Sequence, residues 1–380
     1  MLDVGLKLLN ELTEHGYKAY IVGGFVRDHL LGIESNDIDI NTNATPKEVK
    51  EIFADSCLPN EDYGSVTVVL KGIRFEITTF RKESEYVNNR KPSEVKYIDD
   101  LYEDLVRRDF TINTICMDQN GKILDYLGGR EDLDKKIIRT VGDAYNKFNE
   151  DSLRILRAIR FATILDFKLD DEAVEAIKKT GYLLNNLSYY RKKEELDKIF
   201  TSPNYKNGIQ LLLELGLDKE LEIPNLSKVL ESDTSSLIGI WSILNVTDKY
   251  PFNKNELELI HSINEVIPMN NMDPMTLYRY GLYVNSVAGE IKKKNIKVIT
   301  EKYAKLAIKS KKEIDINSET IMKLLNKAPG KYLKEIYTDL EKKIINNELA
   351  NNKEEICKYI SERYWVGGVL WKKRYIIYFL

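Results

Sequence analysis

The chain has 380 residues, more than one compact core usually supports, so two or more domains are expected. Its 57 lysine and arginine residues are balanced by 60 acidic residues, which gives a formal net charge of −3. This balance argues against a globally basic nucleic-acid-binding protein. Any contact with nucleic acid must therefore come from local basic patches.

The cysteine and hydropathy patterns indicate where the protein resides. Cys57, Cys116 and Cys357 are far apart in the chain and form neither a CxxC pair nor a disulfide framework, which favours a reducing compartment. We interpret them as buried thiols. The first residues do not resemble a signal peptide, and no apolar run is long enough to cross a bilayer, so a cytoplasmic location is expected.

The first informative stretch reads IVGGFVRDHLLGIESNDIDIN at 21–41. Its apolar start predicts the end of a strand. Gly23 and Gly24 then let the backbone turn sharply and bring N–H groups close to phosphate oxygens near a helix N-terminus. Arg27 lies in the following helix, where its guanidinium can clamp the same anion.

Two aspartates one residue apart close this stretch. Side chains at i and i+2 of a strand share one face, so Asp37 and Asp39 would present their carboxylates together while Ile38 and Ile40 enter the core. Two hard oxygen ligands on one face suit magnesium. A lone DxD is more often an acidic strand face after a glycine turn, but the preceding GGxVRD pattern favours the metal site.

The next elements extend a small sheet. The TPKE segment at 45–48 has the form of a capping box with proline at the first helical position and predicts a short helix. Strand-like segments at 66–70 and 73–80 predict a hairpin around a Lys71-Gly72 turn. Within this hairpin, alternation places Glu76 on the polar face.

From about Asp151 onward the apolar spacing is helical, with few strand candidates. The predicted fold is therefore α+β: a small mixed β-sheet in a head domain, followed by all-helical domains. Soft boundaries within the helical part fall near Ser202-Pro203 and near 272–274.

Further motifs follow the DxD segment in order. They are VRRDFTINTI at 106–115, LDYLGGREDLDKKIIRTVGD at 124–143, NEDSLRILRAIRF at 149–161 and YYRKKEELDKIF at 189–200. Together with the glycine turn and the DxD pair, these motifs resemble the signature of the class II nucleotidyltransferases, the family of tRNA CCA-adding enzymes and bacterial poly(A) polymerases.

The resemblance implies a domain organisation. It comprises a catalytic nucleotidyltransferase head at 1–150, a helical neck at 151–202 that selects the nucleotide base, a helical body at 203–272, and a helical tail at 273–380 that binds tRNA.

The resemblance also implies an activity. This activity is template-independent addition of CMP, CMP and AMP to the 3′ end of tRNA from CTP and ATP, with release of pyrophosphate. A poly(A) polymerase and an enzyme restricted to CC or to the terminal A are close alternatives, and an inactive RNA-binding homologue is a remote one. The stretch at 80–105 resembles the full-length flexible loop of CCA-adding members and favours complete CCA addition.

The metal site follows from the same resemblance. Asp37 and Asp39 would hold two Mg²⁺ ions, with Mn²⁺ as an alternative, and the ions would stabilise the attacking and leaving oxygens. Glu76 is the candidate for a third catalytic carboxylate. The open alternative is a surface glutamate that pairs with Arg74 or Arg81.

Nucleotide contacts are assigned to the glycine turn and the second motif. Gly24 and Arg27 would bind the triphosphate. Arg107 and Arg108 are adjacent and point differently, so only one of them is expected to face the nucleotide, and the family alignment favours Arg108 for the sugar. Asp109 would orient that arginine.

The fourth motif bears on base selection. On a helix, Asp151 and Arg154 would be neighbours on one face. Cytosine and adenine both present an amine donor beside a ring-nitrogen acceptor, so one Asp–Arg pair can read both bases. Guanine and uracil present the reverse order, and each unmatched group costs about 1 to 3 kcal/mol. Arg157 and Arg160 extend the stripe towards the phosphates. The alternative is an ordinary salt bridge on an exposed helix.

The implied partners are tRNA, held by its acceptor and T arms, together with CTP and ATP. Lysine-rich runs at 292–297, 309–312 and 328–334 are the candidate contacts to the RNA backbone, and the alternative for each is a solvated helix face. Neither DNA nor a membrane is expected as a partner, and the oligomeric state stays open.

Overall fold

The computed structural model describes residues 1–35, 37–62, 64–83, 86–87, 91–92, 95–270 and 272–364. The predicted flexible loop at 80–105 therefore lies partly outside the described residues. The apolar segment that follows Tyr364 lies wholly outside them.

Strands are concentrated in the first part of the chain, as predicted, and helices fill the rest. The strands are β1 (Ala19–Val22), β2 (Ile38–Thr42), β3 (Cys57–Asp62), β4 (Ser65–Leu70), β5 (Ile73–Thr79), β6 (Arg81–Glu83), β7 (Tyr86–Val87), β8 (Lys91–Pro92), β9 (Val95–Tyr97), β10 (Cys116–Met117), β11 (Ile123–Leu124), β12 (Ile137–Ile138) and β13 (Lys168–Leu169). The helices of the first unit are α1 (Leu2–Glu14), α2 (Gly24–Leu30), α3 (Pro46–Ile52), α4 (Leu101–Val106), α5 (Gly129–Lys135), α6 (Ala144–Glu150), α7 (Leu153–Leu165), α8 (Asp171–Thr180), α9 (Tyr189–Phe200), α10 (Tyr205–Glu214), α11 (Leu217–Glu220) and α12 (Leu226–Leu230). The later helices are α13 (Leu237–Leu244), α14 (Lys254–Val266), α15 (Pro274–Ile291), α16 (Ile296–Ala304), α17 (Ser318–Leu325), α18 (Tyr332–Ile345) and α19 (Lys353–Tyr364).

The main sheet is mixed, which confirms the predicted α+β class. Its strand order is β11-β10-β1-β2-β5-β4-β3. The central strands β2 and β5 run parallel, while the other neighbours in this sheet are antiparallel. In this parallel pair, residues that are partners in the register, such as Ile38 and Phe75, lie side by side on the same face of the sheet.

Helix α1 covers one face of this sheet. A Cβ atom at Gly5 would lie 3.4 Å from side-chain carbons of both Ile21 and Ile38, so glycine lets α1 approach β1 and β2 closely. Ile38 and Phe75 are fully buried. Because side chains alternate along a strand, the neighbours of these apolar residues emerge on the opposite face.

Two local predictions are confirmed. The side chain of Thr45 accepts from the N–H of Glu48, and the Glu48 side chain accepts from the N–H of Thr45, so a complete capping box begins α3. Lys71 and Gly72 both have positive φ, 52° and 77°, which suits the tight turn between β4 and β5.

The described residues group into two compact units. The first comprises Met1–Glu231 and Leu244–Phe252, and the second comprises Ser232–Ile243 and the described residues from Asn253 onward. The second unit has its own core, built mainly from isoleucine and leucine side chains. The finer division into neck, body and tail stays a prediction.

Some details differ from the sequence predictions. The helical part also contains β13, which pairs in parallel with β12. Cys116 is buried, but Cys57 and Cys357 are only half-buried. Among the helices of the described residues, none combines the length and apolar character that crossing a bilayer requires.

Candidate active site

The glycine pair joins β1 to α2. Gly23 has φ 85° and ψ −128°, a conformation that side-chain-bearing residues rarely adopt. A Cβ atom there would lie 3.2 Å from Nη1 of Arg108 and 3.6 Å from the carbonyl oxygen of Asn113. Helix α2 begins at Gly24, so the N–H groups of its first turn lie at the end of β1. The predicted turn is confirmed, and its role in binding phosphate stays a prediction.

The acidic residues meet beside this turn. Asp39 on β2 and Glu76 on β5 are direct partners in the parallel pair, and Asp37 comes immediately before Ile38, the first residue of β2. Burial raises the pKa of Asp39 from 3.8 to about 6, and the negative charges of Asp37 and Glu76 act in the same direction. Asp39 is therefore close enough to Asp37 and to Glu76 for both of their charges to act on it.

Such a donor set suits a hard divalent cation. Within the described residues, however, no group of three or more His, Cys, Asp or Glu side chains is arranged to hold a metal ion. Burial and, to a smaller extent, the charges of Asp37 and Glu76 raise the pKa of Asp39; a bound cation would offset both effects, so Asp37 and Asp39 fit such an ion electrostatically. The identity and number of the ions, and the role of Glu76, stay predictions.

We expect Asp39→Asn to stabilise the metal-free protein by about 1 to 2 kcal/mol at neutral pH. The folded-state pKa of Asp39 lies above its unfolded value, so its charge opposes folding. This loss of stability is absent below the unfolded pKa of 3.8, grows as the pH rises, and is complete above about 6. In thermal unfolding with a chelator, the Tm advantage of the variant should be larger near pH 8 than near pH 4.

The control for this measurement is Asp134→Asn, which neutralises an exposed aspartate on α5. Added Mg²⁺ should raise the Tm of the wild type more than that of Asp39→Asn. An equal Tm difference between Asp39→Asn and the wild type at both pH values would contradict the prediction.

The adjacent arginines of the second motif both reach the carboxylate of Asp104, so the prediction that they point in different directions is not confirmed. Arg107 donates from Nε to Oδ1 of the buried Asp104 at 2.9 Å. Nη1 of Arg108 lies 3.5 Å from the carbonyl oxygen of Asn113, and its Nη2 lies 3.7 Å from Oδ2 of Asp104. The charge of Arg108 acts to lower the pKa of Asp39. Arg108 therefore lies beside the carboxylates, and its contact with a nucleotide stays a prediction.

The prediction that Asp109 orients Arg108 is wrong. The Oδ2 atom of Asp109 accepts from Nε of Arg157 at 2.7 Å, while its Oδ1 accepts from the N–H of Phe110 and from Nδ2 of Asn113. Burial alone would raise the pKa of Asp109, but the charge of Arg157 and these hydrogen bonds lower it to about 2. Phe110, the next residue along the chain, also packs against α7 through an edge contact with the ring of Phe161.

Three arginines surround the ring of Phe161. The guanidinium carbons of Arg27, Arg157 and Arg160 lie 5.2, 5.5 and 4.5 Å from the ring centre. These are cation–π distances. Arg160 is buried, and its Nη1 lies 3.0 Å from Oε2 of Glu195 on α9. This packing favours a supporting role for Arg160 over the predicted reach to phosphate.

The predicted arrangement of Asp151 and Arg154 on one helix face is wrong. Asp151 follows α6 in an extended conformation, and its Oδ1 accepts from the N–H of Leu153, the first residue of α7. Arg154 is buried and donates from Nη1 to Oε2 of Glu150 at 2.6 Å and from Nη2 to the carbonyl oxygen of Arg107 at 3.2 Å. The helix begins after Asp151, so the i, i+3 rule does not apply to this pair. Its role in base selection stays a prediction.

Sequence reasoning missed Phe161, Asn113 and Glu195. Phe161 ends the fourth motif one turn after Arg157, a spacing that places the two side chains on one helix face. Glu195 lies inside the segment at 189–200, whose resemblance to a family motif implies no role for this particular residue. Asn113 lies in the second motif, four residues after its partner Asp109, but no local signal identifies its contact with Arg27, which comes from a distant segment.

Comparisons with known proteins agree with this site. The Poly A polymerase head domain matches residues 19–139, the probable RNA and SrmB-binding site of polymerase A matches residues 166–229, and the putative tRNA nucleotidyltransferase domain 2 matches residues 245–360.

Similar proteins cover almost the whole chain. The CCA-adding enzyme of Geobacillus sp. (strain WCH70) is 37% identical over 96% of this chain and 97% of its own length. The CCA-adding enzyme of Bacillus subtilis (strain 168) is 36% identical over 93% of this chain and 96% of its own. The fold also matches the crystal structure of the Bacillus stearothermophilus CCA-adding enzyme in complex with CTP, with a TM-score of 0.82. The two sequences are 30% identical, and the match covers 94% of this chain and 96% of that one.

The head domain and its acidic sheet face thus define a nucleotidyltransferase, and the chain is an enzyme of this class. Its similarity extends past the head through the helical segments to residue 360. The chain belongs to the family of CCA-adding enzymes within the class II tRNA nucleotidyltransferases.

Proposed function

We propose that the protein adds CMP, CMP and AMP to the 3′ end of tRNA from CTP and ATP and releases pyrophosphate. The observation that carries this proposal is the position of Asp39, half-buried beside Asp37 and Glu76 and facing Arg108. Carboxylates that repel one another oppose folding unless a cation binds. An inactive RNA-binding homologue would gain stability by losing them, so their presence supports catalysis.

Each residue of the site has a proposed part in the reaction. Asp37 and Asp39 would hold two Mg²⁺ ions, or Mn²⁺, which when bound supply positive charge to the attacking 3′-hydroxyl and the leaving pyrophosphate. Gly24 and Arg27 would bind the triphosphate at the start of α2. Arg108 would contact the sugar from the same side, which orients the α-phosphate for in-line attack.

We also propose that Asp151 and Arg154 read the amine and ring nitrogen that cytosine and adenine share. Arg154 is tied to Glu150 and to the carbonyl oxygen of Arg107 in the nucleotide-free chain. Nucleotide binding would have to redirect part of this guanidinium. The hydrogen bond from Arg154 to the carbonyl oxygen of Arg107 supports the proposal, because it keeps the Arg154 guanidinium near Arg108 and the second motif.

Asp151→Ala should lower the use of CTP and ATP together by about tenfold or more, because each base loses the same acceptor. UTP and GTP should lose less, so their relative use should rise. Single-nucleotide incorporation with each of the four nucleotides on one tRNA primer measures this change. Asp143→Ala is a matched control, because it removes the N-terminal cap of the neighbouring α6. Equal losses for all four nucleotides, or loss of ATP use alone, would show that Asp151 is only a cap.

The lysine runs of the second unit are the proposed contacts to the tRNA backbone. Lys293, Lys297, Lys309 and Lys312 are all exposed. Changing these four to glutamine should weaken tRNA binding and flatten its dependence on salt, because fewer counterions are released. The rate of addition to a short acceptor-stem minihelix should fall less than the rate of addition to tRNA, because the minihelix lacks the distant arm that these lysines are proposed to contact.

The control for these four changes is a set of four exposed lysines of the first unit, changed in the same way: Lys7, Lys47, Lys71 and Lys122. Filter binding of tRNA over a range of salt concentrations compares the two sets. If the two variants have the same affinity and salt slope, the lysine runs are ordinary solvated faces.

One assay tests the function as a whole. Purified protein is given each labelled nucleotide with tRNAs that end before CCA, after C and after CC. CCA addition predicts CMP on the first two substrates and AMP on the third. Repeated AMP addition would indicate a poly(A) polymerase, activity on only part of the series would indicate a CC- or A-adding enzyme, and no addition would indicate an inactive homologue.

A further inference from the structure

We propose that Asn113 is a positioning residue that couples Arg27 to Asp109 and Arg157. The inference rests on the proposed function, in which Arg27 binds the triphosphate of CTP and ATP. Asn113 lies outside every role assigned above, and it is buried where the head meets α7.

The side chain of Arg27 is held from two sides. Its Nε and Nη2 atoms contact Oδ1 of Asp28 at 2.8 and 2.7 Å, and its Nη1 donates to Oδ1 of Asn113 at 2.7 Å. Nη2 also lies 3.8 Å from the place that a Cβ atom of Gly24 would occupy. The Asn113 amide therefore fixes the guanidinium beside the predicted phosphate turn.

The other end of the same amide faces α7. Nδ2 of Asn113 donates to Oδ1 of Asp109 at 3.1 Å, and Oδ2 of Asp109 accepts from Nε of Arg157. The amide orientation is set by its neighbours, because only the oxygen can accept from Arg27 and only the nitrogen can donate to a carboxylate. One side chain thus joins the two arginines through an unbroken series of hydrogen bonds.

The need for such a link follows from charge. Three guanidinium groups lie around the ring of Phe161, and like charges at this separation repel. Each guanidinium has its own carboxylate: Arg27 pairs with Asp28, Arg157 with Asp109, and Arg160 with Glu195. Asn113 ties the first of these pairs to the second, so it holds Arg27 at a fixed position despite the repulsion.

The chemistry of this link distinguishes two substitutions. Asn113→Leu keeps a similar volume but leaves Nη1 of Arg27 and Oδ1 of Asp109 each without its amide partner. Asn113→Asp keeps an acceptor for Arg27 but places a second carboxylate against Asp109 instead of a donor. Asn113→Leu should therefore release Arg27 from its position, whereas Asn113→Asp should break the link to Asp109 and Arg157 but keep the contact with Arg27.

The experiment is a double-mutant cycle on the full chain. Equilibrium Kd values for CTP and ATP are measured by calorimetry without tRNA, so that no addition takes place. Asn113→Leu and Arg27→Ala should each weaken both nucleotides by about tenfold, the scale of a hydrogen bond to a charged group. The double variant should be within about twofold of Arg27→Ala alone, because both changes remove one function.

The matched control is Asn225→Leu, which removes an amide donor to the carbonyl oxygen of Leu244 in the same unit and should leave both Kd values unchanged. If Asn113→Leu does not fold, Asn113→Ala, which also removes the amide, serves in the same cycle with the same expectation. Unchanged Kd values, or losses in the double variant that multiply to about a hundredfold, would overturn the inference. A wild-type protein that binds neither nucleotide would overturn the proposed function itself.

Discussion

Replacing Asp37 or Asp39 by alanine should lower nucleotide addition by about a thousandfold or more, because loss of a carboxylate that holds a catalytic cation costs several kcal/mol of transition-state stabilisation. The affinity for tRNA should stay within about twofold of the wild type, since these residues are proposed to hold the cation and not the RNA backbone. Single-turnover addition of CMP measures the first quantity, and filter binding of tRNA measures the second.

The control is Asp134→Ala, which removes an exposed carboxylate from α5. This variant should add CMP at the wild-type rate. Asp39→Asn separates shape from charge, because it keeps the side-chain volume and should be as inactive as Asp39→Ala. Retention of more than about a tenth of wild-type turnover in Asp37→Ala or Asp39→Ala would rule out the assignment of both residues as metal ligands.

Asp109→Ala should lower the free energy of unfolding by about 3 kcal/mol, the largest stability loss that we expect at this site. The change leaves the cation of Arg157 without its carboxylate, and it removes the acceptor of the Phe110 N–H and of Nδ2 of Asn113. Urea unfolding measures the loss. The Kd values for CTP and ATP should rise as well, because Arg27 is held through Asn113.

The contribution of Asp109 should also depend on pH in a defined direction. Its folded-state pKa, about 2, lies below the unfolded value of 3.8. The stabilisation is therefore complete above the unfolded pKa and is lost as the pH falls from about 4 to about 2. Asp109→Asn, which does not titrate, should lack this part of the acid dependence. An unchanged acid limb of the stability curve in Asp109→Asn would contradict the pairing with Arg157.

Asp132→Ala serves as the comparison for Asp109→Ala. Asp132 is also a buried carboxylate, and it accepts from Nε of Arg139 and from Oγ1 of Thr111. Among the contacts described for the chain, none joins Asp132 to Arg27 or Arg157. Its loss should lower stability without raising the Kd for CTP, so an equal rise in both variants would indicate a general loss of folding.

Features that depend on neighbours within a few residues could be predicted from the sequence. Local backbone chemistry decides three features that the sequence predicts correctly: the capping box at 45–48, the tight turn at Lys71-Gly72 and the sharp turn at Gly23 between β1 and α2. The two-residue alternation likewise placed Ile38 in the core and Glu76 on the polar face. The family was recognised from the order of its motifs.

The errors arose where a local rule was applied across a boundary that the sequence does not mark. The helical spacing of Asp151 and Arg154 presumed one continuous helix, but α7 begins at Leu153, so Asp151 serves as a cap and Arg154 turns towards Arg107. The pairing of Asp109 with Arg108 presumed that neighbours in the chain interact.

By itself, therefore, the sequence determined the class of fold, the glycine turn and the acidic strand, since these follow from residue type and short-range periodicity. Only the tertiary structure decided that Asp109 pairs with Arg157, that Asn113 joins them to Arg27, and that Phe161 lies among three guanidinium groups. The physical reason is that a buried charge must find a partner in whichever segment packs beside it, and packing is set by the whole sheet and its helices.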